Sequence, residues 1–191
     1  GTRQRDDVFG AGAMAPHLIR AHISVRPEIK QIEVWNRSAD RRDRLIASLR
    51  PEFDIVATDD LQRAASNADL ISCATMAQQP VIHGEWLSPG CHLDLVGAFT
   101  LDMREADDTA MRRGQVFVDS RQTTISEIGE LAIPIKNGTL REQDVVADLY
   151  QLSGGDHPGR QGQDEITVFK NGGGGHLDLM TARYIYDKCR L

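Results

Sequence analysis

The sequence predicts an α/β protein built on a doubly wound, mostly parallel sheet. Three observations carry this prediction. Short apolar strands alternate with helical segments through the first two thirds of the chain, a glycine turn Gly10-Ala11-Gly12-Ala13-Met14-Ala15 sits between a strand and a helix, and the strand Asp69-Leu70-Ile71-Ser72-Cys73-Ala74 is apolar nearly throughout. Alternating strands and helices require crossovers, and a parallel strand covered on both faces reads as a continuous apolar run.

Taken in order, Val8-Phe9-Gly10 closes a first strand, and the apolar and small residues over 13–25 recur at helical spacing. Gln31-Ile32-Glu33-Val34-Trp35-Asn36 is a second strand, and Ser38 suits the N-cap of a basic helix over 39–49. A third strand over 53–57, a short helix over 61–68 and the apolar strand over 69–74 follow. Strands over 93–97 and 116–119 flank an acidic helix over 105–113. Past Ser120 the pattern changes: helices are expected over 125–131 and 143–152, then a turn-rich break at Gly154-Gly155-Asp156-His157-Pro158-Gly159. The sheet is expected to be finished there, save for one more strand, Ile166-Thr167-Val168-Phe169. That strand runs into Asn171-Gly172-Gly173-Gly174-Gly175 and a closing helix over 176–188.

Composition narrows the function. The 191 residues carry 22 Lys and Arg against 28 Asp and Glu, a net charge of −6 that disfavours a polyanion-binding surface, so no nucleic acid partner is expected. No apolar run approaches the roughly 18–20 residues of a membrane span. Cys73, Cys91 and Cys189 have no C-x-x-C spacing, and the six histidines have neither H-x-x-x-H nor H-E-x-x-H spacing, so neither a disulfide frame nor a metal site is expected. No G-x-S-x-G elbow or Walker motif is present, which sets aside hydrolase and nucleotide-triphosphatase readings. Gly1-Thr2-Arg3-Gln4-Arg5-Asp6-Asp7 lacks the apolar stretch of a signal peptide, and the expected location is cytoplasmic. Because those charges lie so close to the glycine motif, the chain is expected to begin inside a larger protein.

The glycine motif has the form G-x-G-x-x-G/A in the context it requires, between strand and helix. The first glycine permits the tight turn, the second lets a pyrophosphate approach the backbone, and the small third residue lets helix and strand pack closely. The helix start then offers free N–H groups to phosphate oxygens. A carboxylate at the end of the second strand would accept bonds from the ribose of NAD. Here that end reads Trp35-Asn36-Arg37-Ser38, with Arg41 and Arg42 one turn further on, a setting that attracts a 2′-phosphate. NADP(H) is therefore the expected cofactor, with NAD(H) open, and the alternative is that these arginines form a solvated helix face. The group Asp94, Asp102, Glu105, Asp107 and Asp108 could hold an acid–base pair, or serve as caps and dipole partners. Gly172 to Gly175 could bring backbone near a nicotinamide ring or form a mobile loop.

The sequence resembles the ornithine cyclodeaminase/mu-crystallin superfamily over nearly its whole length. The resemblance rests on Phe9-Gly10-Ala11-Gly12-Ala13-Met14-Ala15, Val34-Trp35-Asn36-Arg37-Ser38, Ala74-Thr75-Met76 and Val96-Gly97-Ala98-Phe99-Thr100-Leu101-Asp102-Met103-Arg104-Glu105. It extends through Val116-Phe117-Val118-Asp119-Ser120, Asp156-His157-Pro158-Gly159-Arg160 and Asp164-Glu165-Ile166-Thr167-Val168-Phe169-Lys170. The polar Arg5-Asp6-Asp7 departs from the apolar first strand such proteins carry.

The resemblance implies a homodimer with a Rossmann domain, here 1–170, and a substrate-binding and dimerisation domain mostly missing from this chain. The helix in 171–191 would pack back toward that domain. True cyclodeaminases carry an Asp where this sequence has Phe99, and a phenyl ring can neither take a proton nor position water. Together with Asn36-Arg37 this places the sequence in the ketimine reductase-like branch. It implies an NADPH-dependent reductase of cyclic imino acids such as Δ1-pyrroline-2-carboxylate, giving a cyclic amino acid such as proline. By the same resemblance, Gly10, Ala11, Gly12, Ala13 and Met14 would meet the pyrophosphate, and Asn36, Arg37 and Ser38 the adenosine ribose phosphate. Thr75, Met76 and Val96 would meet the middle and nicotinamide half, joined by Asn171 and Gly172, which replace the family's usual Ser-Val. Asp102 is a candidate proton donor. The alternatives are an NAD-dependent ornithine cyclodeaminase, an amino-acid dehydrogenase of the same superfamily, and a non-catalytic NADP-binding protein. A nucleotide domain without its substrate half is expected to bind cofactor and turn over nothing.

Overall fold

The computed structural model describes the backbone of residues 5–9 and all of residues 12–190. Among these, eight strands form one sheet: β1 (Arg5–Phe9), β2 (Gln31–Trp35), β3 (Ile55–Ala57), β4 (Leu70–Cys73), β5 (His92–Leu95), β6 (Gly114–Val118), β7 (Val145–Asp148) and β8 (Ile166–Lys170). They run parallel in the order β3-β2-β1-β4-β5-β8-β6-β7. The chain winds outward from β1 to β3, then returns to place β4 on the other side of β1. This reversal opens a crevice at the C-terminal ends of β1 and β4, where sheets of this kind bind ligands.

Register shows how the sheet is covered. Ile32 of β2 and Leu70 of β4 both pair with Asp6 of β1, so they share one face, and Ile71 points to the other. On the Ile32 face, Ile19 of helix α1 (Ala15–Val25) and Leu45, Ile46 and Leu49 of α2 (Ala39–Leu49) pack on Val34 and Ile55. On the Ile71 face, Ala65 of α3 (Leu61–Asn67), Met111 of α4 (Asp108–Arg113) and Leu131 of α6 (Gly129–Lys136) join Leu93, Val118 and Val168. Helices on both faces make the sheet doubly wound, as the alternation predicts. β1 keeps its central place through backbone pairing to β2 and β4 on either side, despite its polar Arg5-Asp6-Asp7.

Several boundaries differ from expectation. Residues 143–152 are not one helix. A 3-10 turn at Glu142–Asp144 leads into the edge strand β7, and α7 (Leu149–Gly154) starts only at a reciprocal cap, where Asp148 accepts from the Gln151 N–H and Gln151 from that of Asp148. The β-branched Val145-Val146 pair favours the strand. The unexpected strand β7 extends the edge of the sheet, and the expected last strand, β8, inserts between β5 and β6. Helix α4 begins only at Asp108, capped by Asp107, because Ala106 is held in an extended bridge to Ile82, with the Asp107 N–H donating to the Ile82 carbonyl. Of the helix expected over 125–131 only 129–131 are helical, as the first turn of α6; 125–128 are a turn that follows a separate short helix α5 (Arg121–Thr124), and Gly129 at the start of α6 is wedged against the carbonyls of Leu101 and Met103, with no room for a side chain.

Candidate functional site

The glycine turn lies at the C-terminal end of β1, with Gly10 and Ala11 outside the described residues. Gly12, Ala13 and Met14 are exposed, and α1 starts directly behind them with no side chain capping its first N–H groups. A cleft of about 270 Å³ opens beside the turn, lined by Gly12, Asn36, Arg37, Arg41, Thr75 and Met76 among others. Trp35 forms part of its wall, a contact that the motif reading did not assign. Among the described residues, no acidic side chain lines the cleft.

The end of β2 is shaped by local bonds. The Asn36 amide donates to the Ser38 carbonyl at 2.9 Å, and the Ser38 hydroxyl accepts from the Arg41 N–H, capping α2. Arg37 and Arg41 are left exposed on the cleft. Arg42, expected beside them, points elsewhere: it is buried, and its guanidinium is bound to Asp43, to Asp59 and to the Thr58 carbonyl. Its helical position turns it from the cleft to the loop after β3, so the basic cluster facing the cleft is Arg37 and Arg41.

Thr75 and Met76 follow β4, and Val96 follows β5. The Val96 N–H donates to the Cys73 carbonyl at 2.8 Å, so these loops leave the sheet side by side. The Asn171 N–H donates to the Leu95 carbonyl at 3.0 Å, which brings the end of β8 next to them. Beneath lie buried ionisable groups. Glu105 accepts from the Thr75 N–H at 2.6 Å, the Thr75 hydroxyl at 2.8 Å and the Gly97 N–H at 2.7 Å. Glu130 holds the N–H groups of Glu105 and Ala106, while the Lys170 ammonium donates to the Leu95 carbonyl at 3.0 Å. Burial, followed by the neighbouring Glu105 charge, pushes Glu130 up to about 7, and burial lowers Lys170 from its usual value. Sequence reading weighed Glu105 only as a cap or acid–base group and did not single out Glu130 or Lys170. Their partners come from distant segments, so no local spacing announces them.

Of the glycines after β8, Gly172 and Gly174 are closely packed, whereas a side chain at Gly173 or Gly175 would meet nothing within 4 Å. A methyl group on Gly172 would lie 2.6 Å from the Thr124 hydroxyl and 3.1 Å from an Asp119 carboxylate oxygen, both buried. His176, at the start of α8 (Gly175–Cys189), brings Nε2 to 3.9 Å from the other Asp119 oxygen. The remaining candidates are on the surface. Phe99 is 57% exposed in the loop after β5. Asp102 is exposed and accepts from the Thr100 hydroxyl at 2.5 Å and the Gln78 amide at 2.6 Å. The Thr100 bond comes first among the causes that hold its carboxyl below the usual range, which favours the carboxylate over a proton donor at neutral pH. Among the described residues no group of three or more His, Cys, Asp or Glu could hold a metal ion, and no helix is long and apolar enough to cross a membrane.

The family model described as ornithine cyclodeaminase/mu-crystallin matches residues 7–191. The chain belongs to this family. Its relatives include a Δ(1)-pyrroline-2-carboxylate reductase of Paracoccus denitrificans, 51% identical over 93% of this chain and 57% of the relative. The ketimine reductase mu-crystallin of mouse is 32% identical over 94% of this chain and 54% of its own. A solved structure of the Thermococcus litoralis Δ(1)-pyrroline-2-carboxylate reductase, in complex with NADH and L-proline, aligns with a TM-score of 0.91 and 28% identity. That alignment covers 97% of this chain and 58% of the other. The chain thus spans between one half and three fifths of the length of these family members. In the part it shares with them, Gly12, the end of β2 and the loop after β4 line one cleft, and Val96 after β5 is not among its lining residues.

Proposed function

We infer that the chain is the nicotinamide-cofactor-binding part of an oxidoreductase that reduces a cyclic imino acid of the Δ1-pyrroline-2-carboxylate type to a cyclic amino acid such as proline. The observation that carries this reading is the crevice itself, in a chain 51% identical to a reductase of that imino acid. An open Gly12 and a cleft with no acidic lining among the described residues, with Arg37 and Arg41 at one end, fit a dinucleotide with its pyrophosphate at the turn. Gly10, Ala11, Gly12, Ala13 and Met14 would hold the pyrophosphate. Arg37 would pair with a 2′-phosphate from the turn that Asn36 and Ser38 shape, which makes NADP(H) the preferred cofactor over NAD(H). Thr75, Met76 and Val96 would line the nicotinamide half, with Asn171 beside them and Gly172 holding that segment against Asp119.

When bound, the reduced cofactor supplies the hydride that the imine carbon receives. The chain's own part is to orient the cofactor. Phe99 places an apolar ring where a cyclodeaminase would need a carboxylate, so this reading assigns no ammonia release. The substrate would be gripped by a second domain outside this chain, and helix α8 is suited to meet it. Every residue of α8 from Asp178 onward is exposed, including Leu179, Met180, Tyr184 and Ile185. An apolar surface of this kind marks a contact face, and the intact protein would be a homodimer. The 191-residue chain alone would bind cofactor without turnover.

The test mixes the intact gene product with NADPH and Δ1-pyrroline-2-carboxylate and follows loss of the reduced cofactor. Rapid loss, with NADH much poorer, is expected. No loss with either cofactor, and ammonia release from ornithine with NAD, would overturn the reading in favour of a cyclodeaminase.

A further inference from the structure

Two backbone loops that leave neighbouring strands have no intrinsic reason to keep a fixed spacing. Here one buried side chain spans them. Glu105, fully buried, directs one carboxylate oxygen to the Thr75 N–H (2.6 Å) and hydroxyl (2.8 Å) after β4, and the other to the N–H groups of Gly97 (2.7 Å) and Ala98 (3.4 Å) after β5. A carboxylate is the side-chain group that can accept all of these at once, and bonds to a charged acceptor are about twice as strong as neutral ones. The approach is so close that a methyl group on Gly97 would fall 1.9 Å from the Thr75 carbonyl oxygen and 2.6 Å from Glu105 Oε1. Glu105 is itself held from behind, because its own N–H and that of Ala106 donate to the two oxygens of Glu130 at 2.7 and 2.9 Å.

We propose that Glu105 is a positioning residue that fixes the spacing of the Thr75–Met76 and Val96–Ala98 segments and so pre-forms the seat for the nicotinamide half of the cofactor. This rests on the reading of the crevice as a dinucleotide site. Glu105 does not touch the cofactor. It acts by removing the freedom that the two loops would otherwise lose on binding, and that loss would weaken affinity. Glu105→Gln keeps the volume and one acceptor oxygen but turns an NH₂ group toward N–H donors, so one loop is released.

The experiment uses the intact protein and titrates NADPH and NADH into wild type, Glu105→Gln and Glu130→Gln without substrate, alongside thermal unfolding and amide hydrogen exchange. The expected result is a cofactor Kd at least about tenfold weaker in Glu105→Gln, that is about 1.4 kcal/mol, with cooperative unfolding retained. In wild type free of cofactor, the amides of Thr75 and Gly97 are expected to exchange slowly although they lie beyond the strand ends. Wild-type affinity in a folded Glu105→Gln protein overturns the proposal and leaves the cofactor site standing. If that variant does not fold, fast exchange of the Thr75 and Gly97 amides in wild type overturns it, and slow exchange supports it. Wild type that binds neither cofactor overturns this proposal and the dinucleotide reading together.

Discussion

A methyl group built on Gly12 would stop 4.0 Å from the carbonyl oxygen of Ala74, across the crevice between β1 and β4. That is ordinary van der Waals contact, so among the described residues there is room for alanine at this position. On the proposed function, what the glycine preserves is space for an incoming ligand to reach the backbone. Gly12→Ala is therefore expected to leave the melting temperature unchanged while weakening cofactor binding by about tenfold or more. Calorimetric melting and cofactor titration on the same sample check both halves.

Arg37 and Arg42 are separated by little more than a helical turn and have opposite duties. Arg37 is exposed on the cleft, whereas the buried Arg42 ties α2 to the loop after β3. Arg37→Asp should weaken NADPH binding by about ten- to hundredfold, the worth of one charge-assisted bond, and spare NADH. Arg42→Ala should instead lower stability and leave the ratio of the two affinities untouched. Equal losses of NADPH and NADH in Arg37→Asp would remove the argument for a 2′-phosphate.

The pH dependence follows from Glu130. Its folded value of about 7 lies above the 4.5 of the unconstrained group, so the folded state holds the extra proton. This contribution to stability is fully present below about 4.5 and is lost as pH rises through about 7. Melting temperatures should decline from about pH 4.5 to about pH 7 and level off above, and Glu130→Gln should flatten that decline. An unchanged slope in the variant would show that another group titrates.

Lys170 supplies the positive charge beside Glu105 and Glu130. Lys170→Met keeps much of the volume but leaves both carboxylates without it, and breaking a buried charge arrangement in this way costs about 3–5 kcal/mol. Chemical denaturation should show a lower midpoint, and adding Glu130→Gln to Lys170→Met should recover part of the loss. Additive losses in the double variant would mean that the two groups do not interact.

The parts of the site legible in the sequence are those whose chemistry is local. The glycine turn, the Asn36-Arg37-Ser38 end of β2 and the apolar strand β4 each announce themselves within a few residues, because turns, caps and strand periodicity are set by neighbours along the chain. From its surroundings in sequence Glu105 reads as a cap or as one of an acid–base pair, and only the folded chain shows its carboxylate receiving Thr75 and Gly97. Residues 143–152 read as a helix because a place at the sheet edge beside β6 is not visible from within the segment.

The sequence by itself determined the alternating α/β order, the position of the glycine turn and the basic end of β2, since backbone propensity and charge are properties of short stretches. Tertiary structure decided which arginines face the cleft, where β7 and β8 enter the sheet, and which carboxylates go underneath the loops. Those outcomes depend on contacts between segments tens of residues apart, where burial turns a hydrogen bond or a charge from a minor contribution into a condition of the fold.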